Sequence, residues 1–378
     1  MEPQPIQAFG ASLQGYYNNK CLSDVVIRCD GKEFVVHSLV LFCHSDYFKR
    51  QLTGPWKESE DKTVEIKDFD ANIVEAMLRF VYFFDYDVPP NSRPTIFHAQ
   101  VYQIGDKYGI GTLKKQAINK FERVVNEAEV DAGFAQMQSP PYEEFGASLK
   151  KYFNNTSLSD TVIKCDGREF AIHSLILFCH SDYFRKQLDG PWKESSERVI
   201  EIMDFEPAIV GAMTLFLYCF DYESPADSSA MMFHAKVYQI ADKYDIEALK
   251  RLAATKYRTS IDAGWEMDSF PVAIELAYTT TPPGDRGLRD IAVEVAFKRL
   301  GNLMAQDTFC GMMRDNPDVA ADIIRFTNGI CERVKNYKCG TCRRVFLLGF
   351  PVSQEPSTLY HCPSCETYHS SWRPEAGS

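Results

Sequence analysis

The sequence predicts an α/β protein in which one domain occurs twice, followed by a helical extension and a small cysteine-rich module. Residues 9–121 align with residues 145–257 without a gap, and roughly 60% of the aligned residues are identical by direct count. Each copy combines β-branched runs with amphipathic helical segments. A copy of this length can bury a core of its own, so we predict two globular domains in tandem.

Each copy is predicted to open with a short amphipathic helix. A soluble domain rarely leaves a contiguous apolar face exposed, so this face is the predicted association interface. It can be buried between the two copies of one chain or between two chains. The residues are Phe9, Leu13, Tyr16 and Tyr17 in copy one and Phe145, Leu149, Tyr152 and Phe153 in copy two.

A hairpin follows the opening helix, because an Asp30-Gly31 turn signal joins two β-branched runs. Ser45 is the predicted N-cap of the second of two helices, and Gly54-Pro55 stops that helix. The predicted strands are 25–29, 33–36 and 64–66, and the predicted helices are 37–42, 45–52, about 71–82 and two within 94–121.

Three further segments complete the predicted organisation. Residues 122–144 form a linker that is long enough for the two copies to pack face to face. Residues 258–335 form a helical extension that is interrupted by a Pro-Pro-Gly turn. From 336 to 372 the composition changes to cysteine, basic and aromatic residues, which marks a third module.

The strongest chemical signal in this module is a pair of Cys-x-x-Cys units, which suits a structural zinc ribbon. Four thiolates leave no open coordination position, so one structural zinc ion is the expected cofactor. A redox dithiol would need only one pair. His361 or His369 could replace a cysteine, although surface histidines are the more ordinary interpretation. The predicted ligands are Cys339, Cys342, Cys362 and Cys365.

Composition and charge narrow the range of functions that the protein can have. The net charge of −11 argues against bulk attraction to nucleic-acid phosphates or anionic lipid. The N-terminal residues lack the pattern of a signal peptide, and no segment approaches the apolar length of a membrane span, so we expect an intracellular protein, cytoplasmic or nuclear. His37-Ser38 and His173-Ser174 have no orienting carboxylate at a recognisable spacing, so we expect buried structural histidines and no enzyme.

The repeated motifs resemble the BTB (POZ) domain family. The resemblance rests on Leu22-Ser-Asp24, Gly31, Phe34, His37, Ser45-Asp-Tyr47-Phe48, Trp56-Lys-Glu58 and Val64-Glu-Ile66, with matching positions throughout copy two. It implies a three-stranded sheet capped by a helix cluster, and protein association instead of catalysis. Leu288-Arg289-Asp290 is similar to the helical tail of fungal members.

The resemblance also implies a partner. Trp56 with Glu58, and Trp192 with Glu194, are similar to the motif by which BTB adaptors hold a cullin scaffold. The alternative is a structural role, in which each tryptophan covers the connection between a helix and a strand and each glutamate is a solvent-exposed charge.

Two functional hypotheses follow from these residues. The leading one is an adaptor that recruits a cullin-RING ubiquitin ligase to a substrate. The alternative is a chromatin or transcription cofactor that contacts nucleic acid through a basic ribbon. The basic residues of that patch are Arg333, Lys335, Lys338, Arg343 and Arg344.

Overall fold

The computed structural model describes residues 4–126, 141–224, 230–330, 335–339, 341–348, 360–361, 365 and 367–369. It separates into two units. The first comprises residues 1–226 with 236–253, and the second comprises residues 227–235 with 254–378.

Copy one combines a three-stranded sheet with seven helices in the part of the copy that is described. Its elements are α1 (Pro5–Leu13), a 3-10 turn (Gln14–Tyr16), β1 (Val25–Cys29), β2 (Lys32–Val36), α2 (Ser38–His44), α3 (Asp46–Thr53), α4 (Lys57–Asp61), β3 (Thr63–Glu65), α5 (Ala71–Phe83), α6 (Pro94–Lys107) and α7 (Gly111–Asn126).

Copy two repeats this order. Its elements are α8 (Pro141–Leu149), a 3-10 turn (Lys150–Tyr152), β4 (Thr161–Cys165), β5 (Arg168–Ile172), α9 (Ser174–His180), α10 (Asp182–Asp189), α11 (Lys193–Glu197), β6 (Val199–Glu201), α12 (Pro207–Cys219), α13 (Ala230–Lys243) and α14 (Glu247–Ala263).

The sheet of each copy has its first strand in the centre. β1 is antiparallel to β2 and parallel to β3, and β4 pairs with β5 and β6 in the same way. Asp30 and Gly31 have φ angles of 48° and 76°, as the predicted tight hairpin turn requires. Ser45 accepts a hydrogen bond from the Phe48 amide at 3.1 Å, which confirms the predicted N-cap.

The predicted linker 122–144 is helical at both ends. α7 continues to Asn126, and α8 begins at Pro141. Proline suits the first turn of a helix because its missing N–H group has no intrahelical partner there. Glu143 and Glu144 in the same turn add a favourable interaction with the helix dipole. The short helix α4 was not predicted either, because its five residues show too little hydrophobic periodicity to indicate a helix.

The second unit contains a helical series after α14. Arg289 is buried and donates hydrogen bonds to the carbonyl oxygens of Tyr278 and Thr281, at the end of the preceding helix. The Asp322 carboxylate accepts hydrogen bonds from the Tyr278 hydroxyl at 2.8 Å and from Arg286 at 2.7 Å. These contacts fix the turn around the Pro-Pro-Gly sequence. The helices are α15 (Ser269–Thr280), α16 (Gly287–Lys298), α17 (Leu300–Leu303), α18 (Asp307–Asp315) and α19 (Pro317–Ile330).

Two short hairpins follow. β7 (Lys335–Lys338) pairs with β8 (Val345–Leu348), and β9 (Tyr360–His361) pairs with β10 (Tyr368–His369). The first cysteine pair occupies the turn between β7 and β8, so pairing begins before the cysteines. Lys335, the last residue of the predicted helical extension, belongs to β7.

Candidate functional site

The two copies pack against each other through their opening helices. α1 of copy one contacts α9 of copy two, α8 of copy two contacts α2 of copy one, and α1 contacts α8. This pattern is approximately symmetric, since each opening helix lies against the first core helix of the other copy. We call this contact region the inter-copy interface.

Aromatic rings form the centre of the inter-copy interface. The rings of Phe9 and Phe145 are 6.0 Å apart, and both residues are buried. The Phe9 ring lies 5.0 Å from the His180 ring, and the Phe145 ring lies 5.2 Å from the His44 ring. Aromatic pairs at these separations stabilise beyond the burial of their area.

Four of the remaining predicted interface residues are buried. Leu13 and Leu149 are fully buried. Tyr16 and Tyr152 are buried too, and burial raises the pKa of each phenol to about 12. The ammonium group of Lys49 in copy one lies 5.4 Å from the Tyr152 ring of copy two, so this tyrosine contacts the other copy.

Tyr17 and Phe153 make ring contacts inside their own copies. The Tyr17 ring lies 5.8 Å from that of Tyr82, and the Phe153 ring lies 6.0 Å from that of Tyr218. The expectation of one continuous helical face fails here because each helix tightens into a 3-10 turn. The next residue, Tyr17 or Phe153, then adopts an extended backbone.

The buried histidines near the strands have structural partners. His37 lies 2.8 Å from the Tyr82 hydroxyl through Nδ1 and 2.8 Å from the Cys21 carbonyl oxygen through Nε2. His173 repeats both contacts with Tyr218 and with the Ser157 carbonyl at 2.7 and 3.0 Å. Burial lowers the pKa of both imidazoles. This arrangement confirms the prediction of buried, hydrogen-bonded histidines.

A second histidine pair lies at the inter-copy interface. Nε2 of His44 is 3.0 Å from the Val81 carbonyl oxygen, and Nε2 of His180 is 2.9 Å from the Leu217 carbonyl oxygen. Burial lowers the pKa of each imidazole from 6.5 to about 4. Sequence spacing does not show which helix ends meet the other copy, so it does not indicate this position for His44 and His180.

Acidification is therefore expected to destabilise the paired copies. Between pH 6.5 and about 4 the unfolded chain binds protons at His44 and His180 that the folded chain excludes. The free energy of unfolding then falls with decreasing pH, by about 1.4 kcal/mol per pH unit for each histidine. Urea unfolding, followed by tryptophan fluorescence at pH 7.5 and pH 5, measures this slope. His44→Gln with His180→Gln is expected to reduce the slope, whereas an unchanged slope would contradict the assignment.

Each copy also presents an exposed tryptophan before its short helix. Trp56 is 60% exposed and Trp192 is 62% exposed. One edge of each indole lies over the preceding glycine, where a Cβ atom would come within 2.9 Å of the Trp56 ring at Gly54 and within 2.7 Å of the Trp192 ring at Gly190. Because glycine has no Cβ atom, the edge of each indole can lie against the end of the preceding helix, α3 or α10, while most of the indole surface stays exposed.

The predicted glutamates lie on the same two surfaces. Glu58 accepts a hydrogen bond from the Gln51 side chain at 3.2 Å, and Glu194 accepts the equivalent bond from Gln187 at 3.2 Å. Beside Trp192 is an open cavity of about 480 Å³, which Glu194 helps to line. Each carboxylate is thus tied to the preceding helix, two residues after its tryptophan in sequence. We call the Trp56–Glu58 and Trp192–Glu194 regions the tryptophan surfaces.

Three of the four predicted metal ligands meet in the second unit. The sulfur atoms of Cys339, Cys342 and Cys365 all lie within 4.8 Å of one another, and this group could hold a metal ion. Cys362 lies outside the described residues, as do the side chains of His361 and His369. Of the predicted basic patch, Arg343 and Arg344 are exposed, while Arg333 and the side chains of Lys335 and Lys338 lie outside the described part of the chain.

Comparison with known proteins identifies the repeated domain. The family model for the BTB/POZ domain matches residues 13–123 and again residues 149–261, which together make up more than half of the chain. The protein belongs to the BTB/POZ domain family. Domains of this family mediate protein interactions.

Several relatives match parts of this BTB/POZ protein. Kelch-like protein 8 of Mus musculus is 33% identical over 97 residues, which are 25% of this chain and only 15% of the relative. BTB and MATH domain-containing protein 40 of Caenorhabditis elegans is 24% identical over 283 residues, or 67% of each chain. The solved BTB domain of human gigaxonin matches at 16% identity with a TM-score of 0.26, covering 32% of this chain and 92% of that one. Among the described residues, no helix has the length and hydropathy needed to cross a bilayer.

Proposed function

We propose that this protein is a non-enzymatic intracellular adaptor whose two BTB/POZ domains pair through the inter-copy interface and recruit a cullin-RING ubiquitin ligase. The observation that carries the proposal is the repetition of the tryptophan surface: both copies expose an indole beside a carboxylate at equivalent positions. The family's role in protein interaction supports it.

The chemistry of the tryptophan surfaces suits protein recognition. A large aromatic side chain that is mostly exposed in the free protein gains the most when a partner covers it, and tryptophan is enriched among residues that dominate binding energy. The adjacent carboxylate supplies orientation through a hydrogen bond or an ion pair with the partner. We therefore assign Trp56, Glu58, Trp192 and Glu194 as cullin-contacting residues.

We also propose that one zinc ion organises the C-terminal module through Cys339, Cys342, Cys362 and Cys365. The cluster of three sulfur atoms supports this, because thiolate ligands in a small hairpin module favour zinc. The fourth ligand comes from the second Cys-x-x-Cys unit. Four protein ligands would make this ion structural. The same zinc-bound hairpin would give the module a fixed surface for the substrate that the adaptor presents.

The cullin proposal is tested by a variant that removes both tryptophan surfaces. Trp56→Ala, Glu58→Ala, Trp192→Ala and Glu194→Ala are expected together to weaken cullin binding by about thirtyfold or more, since an aromatic anchor typically contributes about 2 kcal/mol. The measurement is quantitative mass spectrometry of proteins that co-purify with the tagged full chain from cells.

A matched control replaces exposed residues outside the tryptophan surfaces. Lys67 and Met203 are at equivalent positions of the two copies and are 72% and 83% exposed, so Lys67→Ala with Met203→Ala should leave cullin recovery unchanged. Equal recovery with the quadruple variant, or no cullin with the natural chain, would refute the proposal. Recovery of chromatin subunits instead would favour a nuclear cofactor.

A further inference from the structure

The approximate symmetry of the inter-copy interface is broken at one place. Tyr142, in the first turn of α8, lies against the end of α5 in copy one, where its ring is 4.3 Å from that of Phe84. The equivalent residue of the other opening helix is Ile6, which lies against the end of α12 in copy two. A tyrosine in one position therefore corresponds to a smaller isoleucine in the other.

Two more substitutions remove volume from the same place in copy two. Phe83 of copy one corresponds to Cys219, and Arg79 corresponds to Leu215. The result is an open cavity of about 440 Å³, which Ile6, Leu215 and Cys219 line together with Phe220, Gly146 and nearby charged residues. Ile6 takes only part of the place that Tyr142 fills in copy one: its Cδ1 atom lies 2.9 Å from where a Cβ atom on Gly146 would be, and isoleucine is smaller than tyrosine. We call this space the Ile6 cavity.

The filled position in copy one indicates what the Ile6 cavity can hold. There, the Tyr142 ring packs on Phe84 and crosses the opening helix at Gly10, where a Cβ atom would lie only 2.7 Å from the tyrosine. Gly146 stands at the equivalent position of copy two, and Phe220 is equivalent to Phe84. Ile6 covers Gly146, so the open space that an aromatic ring can enter lies beside Ile6, next to Phe220.

Charge adds a second requirement for the ligand. In copy one, the Arg79 guanidinium donates to Asp87 at 3.0 Å and lies 4.9 Å from the Phe83 ring. In copy two Glu223 replaces Asp87, but Leu215 replaces the arginine, and Glu223 forms no ion pair among the residues that the structure describes. The acidic residues Glu143 and Glu223 line the cavity with one basic residue, Lys150, while Asp221, which also lines it, already has a partner of its own. A cationic ligand is therefore favoured.

We propose that the Ile6 cavity binds an aromatic side chain with a neighbouring arginine or lysine, presented by a protein partner. The aromatic ring would occupy the open space beside Ile6, Leu215 and Cys219 and pack on Phe220, and the cation would pair with Glu223. This site is separate from the tryptophan surfaces. It gives the end of α12 in copy two a recognition site, whereas Tyr142 of α8 fills the corresponding position at the end of α5 in copy one.

The test uses the full chain and the capped dipeptide acetyl-Tyr-Arg-amide. The peptide is titrated while the methyl signals of Leu215 are followed by NMR, and saturable shifts are expected for the natural chain. Ile6→Tyr introduces the residue that the opening helix of copy two has at the equivalent position, Tyr142, and its larger side chain is expected to fill the cavity. This change is expected to weaken binding at least about tenfold, equivalent to about 1.4 kcal/mol, with no decrease in melting temperature.

A second variant and a second peptide make the outcome decisive. Cys219→Phe restores the copy-one residue from the opposite wall and is expected to block binding as Ile6→Tyr does. Acetyl-Tyr-Ala-amide should bind more weakly than the arginine peptide. Undiminished binding to both folded variants, or no shift of Leu215 with the natural chain, would overturn the site. Equal affinity for the two peptides would overturn the role assigned to Glu223.

Discussion

Replacing Phe9 and Phe145 together by alanine is expected to separate the two BTB/POZ copies and to lower the free energy of unfolding strongly. Each ring is buried at the inter-copy interface, and each contacts a histidine of the other copy. Truncating a buried phenylalanine typically costs about 3–5 kcal/mol. The two rings are 6.0 Å apart, so their effects are not expected to be additive.

Urea unfolding of the natural chain, the two single variants and the double variant measures these effects and the coupling between them. Phe121→Ala is the matched control, because Phe121 lies on α7 and is exposed. A loss below about 1 kcal/mol for the double variant would contradict a buried inter-copy core, since surface substitutions commonly stay within about 0.5 kcal/mol.

Removal of zinc is expected to unfold the C-terminal module while the BTB/POZ copies remain folded. Structural zinc in small modules supplies about 10–16 kcal/mol of apparent binding energy, and such modules usually have no other source of comparable stability. The hairpins of residues 335–348 and 360–369 are too short to be stable alone. Elemental analysis should give close to one zinc per natural chain, and chelation should remove the ion.

Cys362→Ser with Cys365→Ser should abolish zinc binding, and hydrogen exchange should then become fast in the module and stay slow in the two copies. Cys310→Ser is the control, because Cys310 lies in α18, away from the cysteine pairs in sequence. Full zinc retention by the double variant, or a natural chain without zinc before any exposure to chelator, would contradict the assignment.

Much of the fold could be predicted because the same pattern of turns, helix caps and hydrophobic residues occurs in both copies. The hairpin turn at Asp30-Gly31 and the Ser45 cap depend on local backbone chemistry, which sequence shows directly. The α4 helix and the helical ends of the linker could not be predicted as readily. A five-residue helix has too little periodicity, and the start of α8 at Pro141 depends on capping at a place where the sequence is rich in turn residues.

In the candidate sites, too, features that depend on neighbouring residues in sequence could be predicted, whereas features that depend on tertiary contacts could not. The cysteine pairs and the Trp-x-Glu motifs are local in sequence. His44 and His180 were missed as interface residues because their partners Phe145 and Phe9 belong to the other copy. The Ile6 cavity depends on one replacement in α1 and two in α12, which are far apart in the chain. Aligning the copies three residues further upstream would have shown Ile6 opposite Tyr142, but not that they meet Phe220 and Phe84.

The central claim, that one chain contains a complete pair of BTB/POZ domains, is tested most directly by the mass of the purified protein in solution. Light scattering at low protein concentration should give a monomer of about 43.1 kDa, because the inter-copy interface already buries both opening helices within one chain. A stable dimer that separates into monomers when Phe9 and Phe145 are replaced by alanine would show that the interface forms between chains, and would contradict the claim.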